Sequence, residues 1–435
     1  MASPDLRPVR IDALLLAGGR VFDPRLRLDE TADLLIGRGK IQKIGKNLSR
    51  GFRGKRIDCA GWILVPGFVD MHVHLREPGR EDEETIETGA YAAAAGGFTE
   101  IVCMPNTQPV IDDRSRVEFI RERSQGLPVS VHPVAAVTKG LKGEELTEMG
   151  DCAEAGAVGF SDDGRPVEKA AMLRRAFEYA GMFNRPILSH CEDTSLSEGG
   201  AMHEGYASTL LGLKGIPSIS ESVAVARDLM IAEFTAGQLH VAHVSTAASV
   251  RLIREAKTRG VRVTAETCPH YLVLTDDAVR GYDPNLKMNP PLRSEADREA
   301  LWEGLKDGTL DAVATDHAPH SSEEKDSEFD AAPFGILGLE TAVGLMFTHG
   351  VHRKRMTLRE LVLKMAVNPR KILSLRDARI REGGEANLTL LQPDLAWTVD
   401  REAFRSKSRN TPFHGWALKG RSMGIVHNGQ LVLNP

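Results

Sequence analysis

Long apolar runs, paired cysteines and an excess of one charge are all missing from this 435-residue chain. No run nears the roughly 20 apolar residues of a membrane span, so a membrane protein is not expected. The polar, proline-bearing start leads into Ala13-Leu-Leu-Leu-Ala17. That run is too short for a signal-peptide core and has no cleavage site behind it. It reads as a strand ending at Gly18-Gly19. The five cysteines (Cys59, Cys103, Cys152, Cys191 and Cys268) contain no CxxC pair. An odd, scattered set points to reduced thiols in a cytoplasmic protein. A net charge of -5 argues against nonspecific nucleic-acid binding, though a local arginine can still serve a small anionic substrate. There is no internal repeat and no low-complexity tract.

What remains is an ordinary globular composition, 42% hydrophobic and 26% charged, in a chain longer than one small domain needs. Its two ends share a texture. Leu14 to Ala17, Asp33 to Ile36 and Lys40 to Ile44 are short strand-like runs cut by Gly and Asp. Asn387 to Leu391, a Pro-Asp turn, Met423 to Val426, the turn His427-Asn-Gly429 and Leu431 to Leu433 repeat that texture. The expectation is one small β-sandwich domain built from residues 1–65 and 380–435. The middle, 66–379, alternates. Eight apolar runs begin near Gly67, Thr99, Val129, Ala157, Pro186, Leu239, Val261 and Ala312. Helical patterns such as Glu84 to Ala95, Ser220 to Ala236 and Ala247 to Arg259 lie between them. Eight such units predict an α/β fold, a parallel (β/α)8 TIM barrel.

The most telling stretch is Val65-Pro-Gly-Phe-Val-Asp-Met-His72-Val-His74-Leu-Arg76. Alternate residues of a strand share a face, so His72, His74 and Arg76 project together. Two imidazoles on one strand are half of a metal site suited to zinc. A guanidinium beside them suggests hydrolysis of a substrate that carries a carboxylate. Catalytic residues of such barrels gather at the C-terminal ends of the strands. Those ends carry His72 and His74, the Asp162-Asp163 pair, His190, His243 and Asp316. One such residue is usually a cap; five strands ending this way together are not. Four histidines and two aspartates can hold two divalent ions with one carboxylate between them, an arrangement that activates water at neutral pH. Asp316 is the natural proton shuttle.

In these residues the chain resembles the amidohydrolase superfamily and, within it, the type I bacterial dihydroorotases. The resemblance spans nearly the whole chain. It rests on Asp70-Met-His-Val-His-Leu-Arg-Glu-Pro-Gly79, Met104-Pro-Asn-Thr107, Phe160-Ser-Asp-Asp-Gly164 and Ser189-His-Cys-Glu192. It rests further on His243-Val-Ser245, Asn289-Pro-Pro-Leu-Arg293, Thr315-Asp-His-Ala-Pro-His320 and Ser406-Lys-Ser-Arg-Asn410. It implies a reversible cyclisation of N-carbamoyl-L-aspartate to L-dihydroorotate in pyrimidine biosynthesis. It implies two zinc ions per subunit, one on His72 and His74, the other on His190 and His243. Asp163 would bridge them, and Asp316 would be both ligand and general base and acid. It places Arg76, Asn106 and His320, with His74 nearby, on the substrate carboxylate. Asn289 and the Phe334-Gly335 backbone would contact the pyrimidine ring.

Hydantoinases, allantoinases and type II dihydroorotases resemble this chain in the barrel but bridge their metals with a carboxylated lysine on strand four. Strand four here, Val158-Gly-Phe-Ser-Asp-Asp, has no lysine, which counts against another cyclic-amide hydrolase. Inactive family members that only scaffold aspartate transcarbamoylase lose metal ligands, and this chain keeps all six. A homo-oligomer, a dimer, is expected, and association with the transcarbamoylase is compatible with an active chain. Two departures from the family pattern, the acidic Arg80 to Glu84 and the pair Ala386-Asn387, are expected to leave the ligand set untouched. The polar segment Ser321 to Asp330 reads either as an exposed loop or as a lid over the substrate.

Overall fold

The computed structural model describes residues 8–434. The first seven residues assigned above to the terminal domain, and Pro435, lie outside the described residues. The chain is a (β/α)8 barrel with a β-structured unit made from both ends.

The barrel closes through parallel pairing. Phe68–Val73, Phe98–Cys103 and Ser130–Pro133 form one three-stranded group. Ile187–Ser189, Leu239–Val241, Val263–Thr267 and Ala312–Val313 form a second. Phe160 joins the two by single bridges to Ala135 and Ile187, and a bridge from Val73 to His317 completes the ring. The fourth strand is thus one bridged residue within the run Ala157 to Ser161. A separate cluster includes Val69, Met71, Val102, Val158, Leu188 and Ala314, with Leu373 against it. Only side chains pointing into the barrel can meet across so many strands, so this cluster fills the interior below the site. The outward faces pack against the helices in the main core.

The helices fall between the strands as the periodicity predicts, with caps that fix their ends. Ile86–Gly96 starts at a Thr85 capping box and stops at Gly97, whose φ of 93° suits glycine. Arg114–Arg123 is capped by Asp113 and Ala247–Thr258 by Thr246. Ile219–Thr235 is the longest, at 17 residues. The stretch from Ala342 to Ile372, short helical segments interrupted by wider turns, is not visible as a regular pattern in the sequence.

The two ends interleave in one nine-stranded sheet, and Ile63–Pro66 pairs with Leu388–Thr398. Two expectations need correction. The strand from Ala13 does not end at Gly18-Gly19 but runs on to Asp23. Its pairing with Leu28–Gly37 shifts register between Leu16 and Gly19. Gly18 takes φ 71° there and its N–H donates to Asp33 Oδ1 at 2.8 Å, so the glycines make a bulge. The Pro393-Asp394 step likewise lies inside a strand that continues to Thr398, across a register shift between Gln392 and Ala396. At the junction with the barrel, buried Arg370 bonds Glu100 at 2.6 Å and Asn387 Nδ2 donates to the same carboxylate at 3.0 Å. Asn387 therefore has a structural partner of its own, far from the strand ends that carry the histidines.

Candidate metal centre

All six donors singled out in the sequence are buried, and the structure brings all six together. His72 Nε2 lies 3.4 Å from Asp163 Oδ1 and 3.5 Å from Asp316 Oδ1. His74 Nε2 lies 3.1 Å from Asp316 Oδ1 and 3.6 Å from Asp163 Oδ2. On the other side, His190 Nδ1 and His243 Nε2 each stand 3.7 Å from Asp163 Oδ1 and 2.8 Å from each other. Asp163 thus faces both histidine pairs. His243 and Asp316 sit just past their strands with φ of 35° and 49°. Such backbone angles are uncommon for residues with side chains and cluster at functional sites.

The donor atoms fit a metal. They form three overlapping groups, His72 with His74 and Asp163, His72 with His243 and Asp316, and Asp163 with His190 and His243. His72 Nε2 and Asp163 Oδ1 are buried with no hydrogen-bond partner. Leaving such atoms unpaired costs about 1–3 kcal/mol each, which a coordinated cation would relieve. Imidazole and carboxylate donors suit zinc and its neighbours.

Three of the four rings are also held from behind. His72 Nδ1 pairs with Glu266 at 3.0 Å, His190 Nε2 with Glu192 at 2.9 Å, and His74 Nδ1 with Asn106 Oδ1 at 2.9 Å. With the N–H directed at an acceptor, the other nitrogen presents its lone pair to the cluster. Burial opposes ionisation of Glu266 and Glu192, yet the neighbouring histidines hold both carboxyls down at about 2. Burial likewise disfavours charge on Asp163 and Asp316, and the surrounding histidines, His72 foremost, outweigh it and keep both below the usual carboxylate range.

The residues assigned to the substrate form one wall beside this cluster. Arg76 Nε lies 3.1 Å from Glu83 and donates to the Pro319 carbonyl at 3.0 Å, while its Nη2 reaches to 3.4 Å from His320. His320 sits between Glu83 Oε1 and the Phe334 carbonyl, 2.8 Å from each. Asn106 Nδ2 donates to Asp163 Oδ2 at 3.3 Å, which joins this wall to the metal donors. Asn289 donates to Glu192 at 3.1 Å. A Cβ on Gly335 would stand 2.6 Å from the Ala318 carbonyl and 2.7 Å from the His320 ring, so only glycine lets that segment pass so close.

Asp162 turns away from its neighbour's task and accepts from the N–H groups of Val137 and Thr138 at 2.7 and 3.0 Å. His317 pairs with Glu84 at 3.3 Å. The acidic run after the first strand finds its partners beside the donors rather than among them. Glu83 holds Arg76 and His320, and Glu84 holds His317 and Ser406, so the run touches the proposed substrate wall. The segment after His320 is tied down. Buried Lys325 donates to the carbonyls of Pro284 and Pro333 at 2.9 and 2.8 Å, and Lys287 donates to Asp330 O at 2.8 Å.

Sequence reading missed Glu266, Glu192, Glu83 and Glu221. The last, on the helix Ile219–Thr235, accepts from the N–H groups of Ser245 and Thr246 at 3.1 Å and so fixes the turn after His243. Glu266 lies inside the strand Val263–Thr267, one place before its end.

A family model described as Dihydro-orotase-like matches residues 61–249. A dihydroorotase of Pelotomaculum thermopropionicum is 54% identical over 420 residues, 97% of this chain and 98% of that protein. A dihydroorotase of Syntrophus aciditrophicus is 53% identical over 421 residues, 96% and 99% of the two. Among solved structures, an L-hydantoinase (dihydropyrimidinase) from Arthrobacter aurescens matches with a TM-score of 0.86 at 27% identity, covering 97% of this chain and 96% of that one. A dihydropyrimidinase from Brevibacillus agri matches at 0.85 and 25%, covering 97% and 95%.

Proposed function

This chain belongs to the dihydroorotase family, and we infer that it does what its relatives are named for. It is a dihydroorotase, a metal-dependent cyclic-amide hydrolase that interconverts N-carbamoyl-L-aspartate and L-dihydroorotate in pyrimidine biosynthesis. The observation that carries the substrate is Arg76 beside the donor cluster. The neutral rings of hydantoin, dihydropyrimidine and allantoin give that guanidinium no partner, whereas dihydroorotate carries a carboxylate.

The donor set supports two zinc ions per chain, one on His72 and His74, one on His190 and His243, with Asp163 between them and Asp316 completing the first. Bound there, such ions would supply Lewis acidity toward the ring carbonyl and bring the pKa of water toward ~7. In ring opening, Asp316 takes the proton from the attacking water and returns it to the departing ring nitrogen as the C–N bond breaks. In ring closure it runs the same steps in reverse. Arg76, Asn106 and His320 hold the substrate carboxylate. Asn289 and the Phe334-Gly335 backbone line the ring. Residues 66–379 form the catalytic domain and 1–65 with 380–435 the composite β-domain. Among the described residues no helix is long and apolar enough to cross a membrane. The five cysteines are free, buried thiols, a state a reducing cytoplasm maintains, and the enzyme is placed there, as a homodimer that is also open to association with aspartate transcarbamoylase.

The test is ring opening of L-dihydroorotate by the purified protein, with hydantoin and allantoin beside it and metal measured on the same sample. Turnover of dihydroorotate alone, with about two zincs per chain, is the expected result; turnover of the neutral rings instead overturns the substrate assignment. Arg76→Ala should raise KM for dihydroorotate about ten- to hundredfold, the worth of a charge-assisted contact. An unchanged KM would make Arg76 a structural partner of Glu83 only.

A further inference from the structure

The helix Ile219–Thr235 is apolar on two faces. Its inner face, with Val225, Leu229 and Ala232, is buried in the barrel core. Its outer face carries Ile219, Val223, Met230 and Phe234, exposed by 52%, 47%, 71% and 73%. At 100° per residue these four fall within an arc of about 60°. A surface helix normally keeps polar residues on that side, and a helix apolar all round is normally covered all round.

The order of the four residues says what covers it. Ile219 and Phe234 are placed symmetrically about the point between Ala226 and Arg227, and so are Val223 and Met230. A helix with this pattern is complementary to itself when reversed. About a two-fold axis through that point, Ile219 meets Phe234 of the second copy and Val223 meets Met230. A two-fold interface sets residue i against j and j against i, and these four positions satisfy that pairing. The crossing point is suited to close approach. Ala226 is small, and Arg227 is drawn aside by Asp228 and the Glu168 carbonyl, 2.8 Å from each.

Neighbouring elements widen the patch. Arg174, on the helix Ala170–Gly181, lies 5.1 Å over the Phe234 ring, and Met182 ends that helix 75% exposed. At roughly 100 Å² apiece, these five apolar side chains supply more than half of the ~800 Å² per partner of a stable interface.

We propose that this face is the dimer interface, two copies of Ile219–Thr235 crossing antiparallel at Ala226. The proposal rests on the homodimer named above, and the experiment separates the two. Sedimentation velocity at micromolar concentrations should give a dimer for the wild-type chain and a monomer for Met230→Glu/Phe234→Glu, with the thermal midpoint and circular dichroism little changed, since both side chains are mostly in water. Ala226→Cys, a half-buried thiol at the crossing point in a chain whose own cysteines are buried, should give a covalent dimer on mild oxidation. A wild-type monomer, or one that associates only when an aspartate transcarbamoylase is added, overturns both the dimer and its surface. A double variant that stays dimeric, or Ala226→Cys that oxidises without a covalent dimer, overturns the surface alone. If the double variant fails to fold, the cross-link decides.

Discussion

Asp316→Asn is expected to lose at least about a thousandfold in turnover, the upper range for a positioned acid-base group, while the protein folds and keeps much of its metal. Asparagine has the same shape, so the turn past the eighth strand keeps its φ of 49° and its place beside His74. The anchor of that turn is elsewhere, in buried Asp70, whose carboxylate accepts from the N–H groups of Thr315 and His72 at 3.0 and 3.2 Å and so ties the first and eighth strand ends together. Five of six donors remain to hold metal. What asparagine cannot do is accept a proton and give it back. The neighbouring histidines hold the Asp316 carboxyl below the usual carboxylate range in spite of its burial. Single-turnover rates and zinc content on the same sample check this. A variant with more than about a tenth of wild-type turnover at full metal loading would move the proton shuttle to another residue.

The donors were legible because each ends an apolar run, and a strand end in a (β/α)8 barrel is a place in space as much as in sequence. Six residues from five strands therefore meet without any of them being sequence neighbours of all the others. The groups behind them were not legible for the opposite reason. Glu266 reaches His72 across 194 positions, and nothing in the Glu266-Thr-Cys stretch says which histidine it will meet. Arg80 to Glu84 read only as a departure from the family pattern, because the link from Glu83 to Arg76 and His320 exists only in the folded chain. At the ends of the chain the strand positions were readable and the strand lengths were not. Gly18 and Pro393 are turn residues by type, yet the partner strands carry pairing past both through bulges. The fourth barrel strand shows the reverse: a five-residue apolar run that contributes a single bridged residue, Phe160, because its task is to deliver Asp162 and Asp163 to the loops beyond it.

Removing metal should abolish turnover and also lower the thermal midpoint by several degrees, and the second effect follows from the cluster itself. Stripped by a chelator, the site keeps two buried carboxylates that the surrounding histidines hold ionised, with His72 Nε2 and Asp163 Oδ1 lacking any partner. A cation that binds only the folded chain stabilises it by about 4 kcal/mol at a thousand times its dissociation constant. For a chain of this size that corresponds to a midpoint shift of about 4 °C for each ion. Zinc added back should restore rate and midpoint together, with about two ions bound per chain. Asp163→Ala sharpens the test, because its carboxylate faces both histidine pairs at 3.4 to 3.7 Å. Loss of that one residue should lower the metal content of both sites, where loss of His190 should empty one. If chelated protein, shown by elemental analysis to hold almost no metal, kept its rate and its midpoint, the six buried donors would be a hydrogen-bonded cluster and the chemistry would have to be sought in Asp316 and Arg76 alone.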